Sequence, residues 1–402
     1  MCIRDRLEGA DSFEGEVLHT GRWPKEPVDL SKKQVGVIGT GSSGVQAIPE
    51  LAKQSEHLFV YQRSPVYTVP AKRKAMREYV QAEFRRNYRE IRELQQLNFG
   101  GVSNFRLTES VKRAVSKESQ NARPSKILEI SEDQLKHMIS EQGLGVLLSF
   151  TDVYSDMRAN EIANQLFREG ISNIVEQQDV ANSLLPKDYG LGCKRQVLDR
   201  DYYETFNRPD VTLIDLKQTP IERISPKGIV TGDSEQELDV IIYATGFDAM
   251  TGALLKSNII GRQGKTLKEK WQFGPEAYLG LQIAGFPNLF TVTGPGSPSV
   301  LCNMLVAIEQ HINWIADCIS YLDSNGFSSI EPTNAAEQDW IAHVNEVAEG
   351  TMFTAPSCNS WYLGANIPGK PRIFMPYVGG FPQYKSRCDA IVQNHYEGFV
   401  IS

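Results

Sequence analysis

The sequence predicts an α/β chain: a doubly wound parallel sheet with a helical block inserted between its strands. Three observations predict it. The stretch "QVGVIGTGSSGVQAIPELAK" reads as a short apolar strand, a glycine turn and a helix. "HLFVYQR" follows as a second strand, at the spacing of a βαβ unit. Strand signals then stop near residue 72 and return only after Asp188.

Composition sets the class. A chain of 402 residues suggests two or three domains, and 41% apolar with 23% charged residues is ordinary for a globular enzyme. A net charge of −7 argues against nucleic acid or an anionic membrane as the main partner. No apolar run approaches the ~20 residues of a membrane span. The opening "MCIRDR" has no apolar region behind it, so no cleavable export signal is expected. Six cysteines are scattered without a CxxC pair, which fits a reducing cytoplasm and suggests neither a zinc site nor a redox dithiol. Six histidines are equally dispersed, with no HxH or HExxH, so no metal is expected.

Along the chain, "KRKAMREYVQAEFRRNYREIRELQQL" is charged with apolar residues at helical spacing and opens the insertion. Its Lys72–Lys74 start reads as a solvated helix face rather than a nuclear signal, since Glu78, Glu83, Glu90 and Glu93 alternate with the basic residues. After Asp188 come the strand "VTLIDL", the hairpin "ERISPKGIVTGD" with Lys227-Gly228 in its turn, and the strand "LDVIIYATGF". "NLFTVTG" is expected to be a further strand, leading into "GPGSPS" and a helix from about Asn303 to Leu322. The tail is aromatic and rich in Gly and Pro.

Gly39, Gly41 and Gly44 form GxGxxG between the strand and the helix. In that context Gly39 permits the tight turn, Gly41 lets the backbone approach a pyrophosphate, and Gly44 lets helix pack on strand. The helix N-terminus offers free N–H groups and the positive end of its dipole. Ser42 and Ser43 add hydroxyl donors, and Thr40 and Gln46 complete the cofactor-binding set. The bland reading is a tight turn without a ligand. The second strand ends in Tyr61-Gln62-Arg63-Ser64 where an NAD site wants a carboxylate for the ribose 2′-OH. A guanidinium and a hydroxyl suit a 2′-phosphate, so NADP is expected. The competing reading of Arg63 is an exposed strand-end charge.

Phe13-Glu14-Gly15, His19 and Trp23-Pro24 spell FxGxxxHxxxWP. This resembles the fingerprint of Baeyer–Villiger monooxygenases. "VYQRSP", "CKRQVLDRDYYETFNRPDV", "ATGFDAMTGAL", "GPGSPSVLCNM" and "SWYLGANIPGKPR" follow in the family's order, and the phenylacetone and cyclohexanone monooxygenase group is the nearest likeness. The resemblance covers nearly the whole chain from about residue 10, more loosely in the insertion. It implies a flavoprotein with two Rossmann-like dinucleotide-binding parts, FAD and NADP as cofactors, and a small-molecule ketone and O2 as substrates. The ketone becomes an ester or lactone through a flavin C4a-peroxide.

The resemblance also implies site roles. Arg63 and Ser64 hold the 2′-phosphate, with Lys194 on the same phosphate or its ribose. Arg195 is the catalytic arginine, a permanent cation for the peroxide and the developing oxyanion. Ala244-Thr245-Gly246 crosses between the cofactor domains near the flavin. Asn303 and Met304 lie near the flavin ring, Ser299 to Leu301 line the substrate side, and Trp361 sits on a loop over the nicotinamide. The family's fingerprint couples domains, so His19 is not the expected base. Read without the resemblance, Lys194-Arg195 would be a solvated basic pair. Cys193 departs from the small residue expected there; it is read as a buried packing residue, or as a thiol activated by neighbouring cations if it faces the site.

Two alternatives stay open: a non-catalytic NADP-binding fragment, and a flavin N- or S-oxygenase of the broader group. The family carries a first, FAD-binding βαβ unit upstream of the fingerprint, and only twelve residues precede Phe13 here. That unit is expected to be missing, together with an acidic partner for Arg195. "MCIRDR" back-translates to a sequencing-library adapter, so residues 1–6 are expected to be artefact. The domain expectation is then a remnant of the FAD domain and linker over 1–32, an NADP domain over 33–71 and 189–243, a helical insertion over 72–188, and the rest of the FAD and substrate domain over 244–402.

Overall fold

The structure is a computed structural model that describes residues 7–71, 78–102 and 126–402. The proposed adapter residues 1–6 and the Lys72–Lys74 cluster lie outside them. The chain divides into two compact units.

The first unit holds residues 7–71, 126–247 and 355–358. Its centre is a five-stranded parallel sheet built from β1 (Glu16–His19), β2 (Gln34–Ile38), β3 (His57–Gln62), β6 (Val211–Asp215) and β10 (Val240–Tyr243). The order across it is β1-β10-β2-β3-β6. β10 reads Val-Ile-Ile-Tyr and is buried at every position. That continuous apolar run is what a central parallel strand, covered on both faces, requires. One face is covered by helix α1 (Ser42–Gln54), which presents Val45, Ile48, Leu51 and Ala52 at helical spacing. Ile171, Ala181 and Leu184 from the 157–184 helices and Tyr202, Tyr203 and Phe206 complete that core. The other face is covered by the antiparallel meander β7 (Ile221–Ile224), β8 (Gly228–Thr231) and β9 (Ser234–Glu237), through Ile224 and Ile229. The β7–β8 turn is held by Ser225 Oγ, which accepts from the Lys227 and Gly228 amides at 3.1 and 3.0 Å. A short parallel pair, β4 (Thr68–Pro70) and β5 (Val197–Asp199), stands beside the main sheet.

Two expectations about boundaries differ from this. Residues 7–32 are not set apart as a remnant of another domain. β1 pairs residue for residue with β10, from Glu16↔Val240 to His19↔Tyr243, because Leu18 reaches the core shared by β2 and β10. The helical insertion is also split: its 78–97 helices belong to the second unit, and its described residues from 126 onward belong to the first.

The second unit holds residues 78–102, 248–354 and 359–402. It is mainly helical, with long helices at Met304–Ser324, Asn334–Ala348 and Phe381–Gln393 and one antiparallel pair, β11 (Ile330–Pro332) with β12 (Phe399–Ile401). Trp314, Cys318, Leu322, Trp340, Val344, Tyr384 and Tyr396 form its core. The first of these helices was legible from its pattern: Val306, Gln310, Trp314, Cys318 and Leu322 recur every fourth residue and are buried. "NLFTVTG" is not a strand. Phe290 makes one isolated bridge to Gln282, the Thr291 amide donates to the Leu281 carbonyl, and Thr293 turns at φ 54°. A strand needs a neighbour that takes its hydrogen bonds along its length, and the pairing with Leu281–Gln282 stops after one bridge.

Candidate functional site

The glycine loop lies in the first unit, between β2 and α1. Gly39 takes φ 110°, and a Cβ on it would sit 2.6 Å from the Ala244 carbonyl oxygen. Only glycine fits such a turn and such an approach. A Cβ on Gly44 would sit 2.1 Å from the Gly39 carbonyl oxygen. Gly41 is different: φ is −75° and no atom lies within 4 Å of its ideal Cβ. Space is therefore kept open on the side where a pyrophosphate would approach. Gly41 is also the N-cap of the 13-residue α1, with no side-chain cap on the helix amides. The first-turn N–H groups and the helix dipole thus face that space uncapped.

Thr40 lies within this loop and ties it to the next strand: its hydroxyl donates to the Ser64 carbonyl at 3.0 Å. Arg63 and Ser64 follow β3 directly, and no carboxylate ends that strand. Ser42 and Ser43 start α1 and are exposed. Gln46 is exposed, and its Nε2 donates to the Leu198 carbonyl at 3.1 Å, which ties β5 to α1. Lys194 is half-buried, its Nζ 4.1 Å from the centroid of the Tyr189 ring. Burial first, then the charges of Arg63 and Lys217, push its pKa down to about 8. Arg195 beside it is exposed.

Ala244-Thr245-Gly246 leaves the sheet at β10. The Ala244 amide donates to the Ile38 carbonyl at 2.9 Å, and Gly246 turns at φ 80°. The next residue, Phe247, packs edge-on to the His19 ring with centroids 5.7 Å apart. His19 Nδ1 accepts from the Gly21 amide at 2.9 Å. His19 thus packs where β1 meets the chain leaving β10. Trp23 is 40% exposed and lies outside the core.

Cys193 was expected to be a free residue. It is bonded instead to Cys358, with Cα atoms 5.3 Å apart and both residues buried. The sequence separation of 165 hid the pairing, because spacing says nothing about contact at that range. The cysteine argument for a reducing compartment falls with it.

In the second unit, Asn303 caps the Met304–Ser324 helix: its side chain accepts from the Leu305 amide at 3.2 Å. Its own amide donates to the Gly100 carbonyl at 2.8 Å. Met304 follows, half-buried. Ser299 opens the Ser299–Leu301 turn, fully buried at φ 43°, and its hydroxyl donates to Met250 Sδ at 3.4 Å. Such backbone strain concentrates at functional positions. Trp361 opens a short helical turn and lies against Tyr362. Sequence reasoning missed what holds the following stretch: Lys370 pairs with Asp248 at 2.6 Å, and both are largely buried. Both residues stand inside quoted motifs, GFDAM and PGKPR, which is the signal that could have found them. Among the described residues, no cluster of three His, Cys, Asp or Glu comes together to hold a metal, and no helix is long and apolar enough to cross a membrane.

No protein-family model matches the chain. Among curated proteins it is 37% identical over 399 residues to a Baeyer–Villiger monooxygenase of Pseudooceanicola batsensis, covering 98% of this chain and 70% of that protein. A solved structure of oxidized steroid monooxygenase bound to NADP superposes with a TM-score of 0.86 at 44% identity, over 98% of this chain and 72% of that one. A structure of OTEMO in complex with FAD and NADP gives a TM-score of 0.89 at 35% identity, over the same shares.

Proposed function

The chain belongs to the Baeyer–Villiger monooxygenase family, and from that premise we propose that it serves NADPH- and FAD-dependent insertion of oxygen beside a ketone carbonyl, giving an ester or lactone. The observation that carries the nucleotide part is the Gly39–Gly44 loop: closed by backbone at Gly39 and Gly44, open at Gly41, with helix amides uncapped behind it. These residues fit a dinucleotide. The Gly41 cradle and the α1 amides take the pyrophosphate, while Arg63, Ser64 and Lys194 take the 2′-phosphate. When bound, NADPH supplies hydride and FAD carries the oxygen chemistry.

The protein's own part is position and charge. In this reading Arg195 supplies a guanidinium cation to stabilise oxyanion character that develops at the ketone oxygen. Asn303 and Met304 are the residues this chain offers to the flavin ring, and Trp361 and Ser299 to Leu301 those it offers around the substrate. A second reading rests on the same loop: the Gly39–Gly44 turn serves one dinucleotide, as in a chain that binds NADP without turnover.

The two separate in one assay. The full chain is incubated with FAD, NADPH, oxygen and a panel of linear, cyclic and steroid ketones, and the products are analysed. An ester or lactone carrying one atom from labelled O2 supports the first reading. NADP+ binding with no ketone-dependent product supports the second. Oxidation confined to amines or sulfides would assign the chain to N- or S-oxygenation.

A further inference from the structure

We propose that Lys217 is a third cation of the 2′-phosphate corner, held at rest by Asp188, and that this pair sets how strongly the chain prefers a 2′-phosphorylated dinucleotide. The inference rests on the NADP reading above and adds residues that neither the glycine fingerprint nor the strand-end rule points to.

Three observations carry it. First, register: β6 lies beside β3 with Gln62 opposite Asp215, and the Leu216 amide donates to the Gln62 carbonyl at 2.8 Å. Lys217 therefore leaves the sheet at the same edge as Arg63, from the neighbouring strand. The turn is fixed there, because Asp215 Oδ1 accepts the Lys217 amide at 3.0 Å. Second, contact: the Lys217 ammonium pairs with the Asp188 carboxylate, and Asp188 is followed by Tyr189, whose ring carries the Lys194 ammonium at 4.1 Å. Lys217 and Lys194 thus meet round the Asp188–Tyr189 pair. Third, electrostatics: Lys194 feels the charges of both Arg63 and Lys217. Three cations against the Asp188 and Asp215 carboxylates leave the corner net positive, which a phosphate dianion balances.

The Lys217–Asp188 pair is exposed on both sides, at 46% and 68% of side-chain area. Pairs of that kind are held by ~1 kcal/mol or less, so the ammonium is released at little cost when a better anion arrives. The guanidinium of Arg63 can grip the phosphate at two points, whereas Lys217 acts as a point charge. Once Lys217 turns to the phosphate, the Asp188 carboxylate repels that phosphate.

The test uses equilibrium titration of the full chain with NADP+ and, separately, NAD+. Lys217→Met is expected to weaken NADP+ by about fivefold, the loss of one exposed charge contact, and to leave NAD+ unchanged. Lys217→Arg keeps NADP+ affinity. Asp188→Asn tightens NADP+ by about two- to threefold, as removal of one screened repulsion would. Unchanged NADP+ affinity in Lys217→Met overturns the proposal, as does an equal loss for both nucleotides. Weaker NADP+ binding in Asp188→Asn overturns the holding role. If the unsubstituted chain binds no NADP+ at all, the underlying reading falls and the proposal with it; if it binds and Lys217→Met does not alter it, only the proposal falls.

Discussion

The Thr40 hydroxyl donates to the Ser64 carbonyl at 3.0 Å, and so joins the glycine loop to the end of β3. On the proposed function, this bond links the groups proposed for the pyrophosphate to those proposed for the 2′-phosphate. Thr40→Val keeps the volume but leaves a buried carbonyl unpaired, at a cost of about 1–3 kcal/mol. It is expected to lower NADP+ affinity more than it lowers the melting temperature, measured by titration and by thermal unfolding. A variant that melts far lower but binds as before would mean the bond serves only the fold.

The three glycines are expected to separate by function. Gly44→Ala places a Cβ 2.1 Å from the Gly39 carbonyl oxygen and should destabilise the first unit outright. Gly41→Ala meets nothing within 4 Å at an ordinary φ and should fold normally. It should nevertheless lose at least about tenfold in dinucleotide affinity, because the methyl occupies the phosphate's approach. Thermal unfolding and NADP+ titration of both variants check this; equal melting temperatures would contradict it.

Lys194 gives a pH dependence with a definite sign. Burial beside Arg63 and Lys217 lowers its pKa to about 8 in the free chain. A bound phosphate favours the charged form and raises that pKa. NADP+ affinity is therefore fully present below pH 8 and declines as pH rises above it. NAD+, without the 2′-phosphate, should show no such decline between pH 7 and 9. A parallel fall for both nucleotides would remove Lys194 from the phosphate site.

His311 gives the opposite kind of pH test, one of stability. It is fully buried, with Nδ1 accepting the Thr293 amide at 2.9 Å and Nε2 2.8 Å from the Tyr384 oxygen. The Tyr384 hydroxyl donates onward to the Leu279 carbonyl at 2.6 Å. Nδ1 must stay unprotonated for this chain of bonds, and burial lowers the pKa from 6.5 to about 4. Between those values the unfolded chain binds the extra proton, so stability rises with pH. The contribution is complete above pH 6.5 and is lost as pH falls through 4. Denaturant unfolding of His311→Gln should show a flatter acid limb than the unsubstituted chain; an identical limb would contradict the assignment.

Cys193 and Cys358 should resist alkylation in the denatured, unreduced chain and react after reduction. Peptide mapping should find the two segments joined. Reduction should lower stability by roughly 2–4 kcal/mol, read from denaturant unfolding with and without reductant. Alkylation of both cysteines before any reductant is added would show that the bond is absent.

Much of the first unit was legible because its signals are local. β2, the glycine turn and α1 lie within 21 consecutive residues, Gln34 to Gln54, and each glycine's duty follows from its own backbone. β10 and β6 announced themselves as apolar runs. What stayed hidden depends on partners far along the chain. β1 joins the sheet through β10, more than 200 residues away, and nothing within Glu16–His19 says so. Cys193 finds Cys358, and Lys217 finds Asp188, through the folded chain alone. "NLFTVTG" carries strand propensity, but propensity cannot make a strand where the pairing stops after one bridge. In the second unit, the periodic Met304–Ser324 helix could be read directly, whereas the strain at Ser299 and the Lys370–Asp248 tie could not.

If the glycine loop and Arg63 form a dinucleotide site built for a 2′-phosphate, equilibrium titration of the unsubstituted chain with NADP+ and NAD+ at pH 7 shows it. NADP+ is expected to bind tighter by at least about tenfold, the worth of one charge-assisted phosphate grip, with the preference shrinking as salt is raised. Equal affinity, or a preference for NAD+, would contradict it.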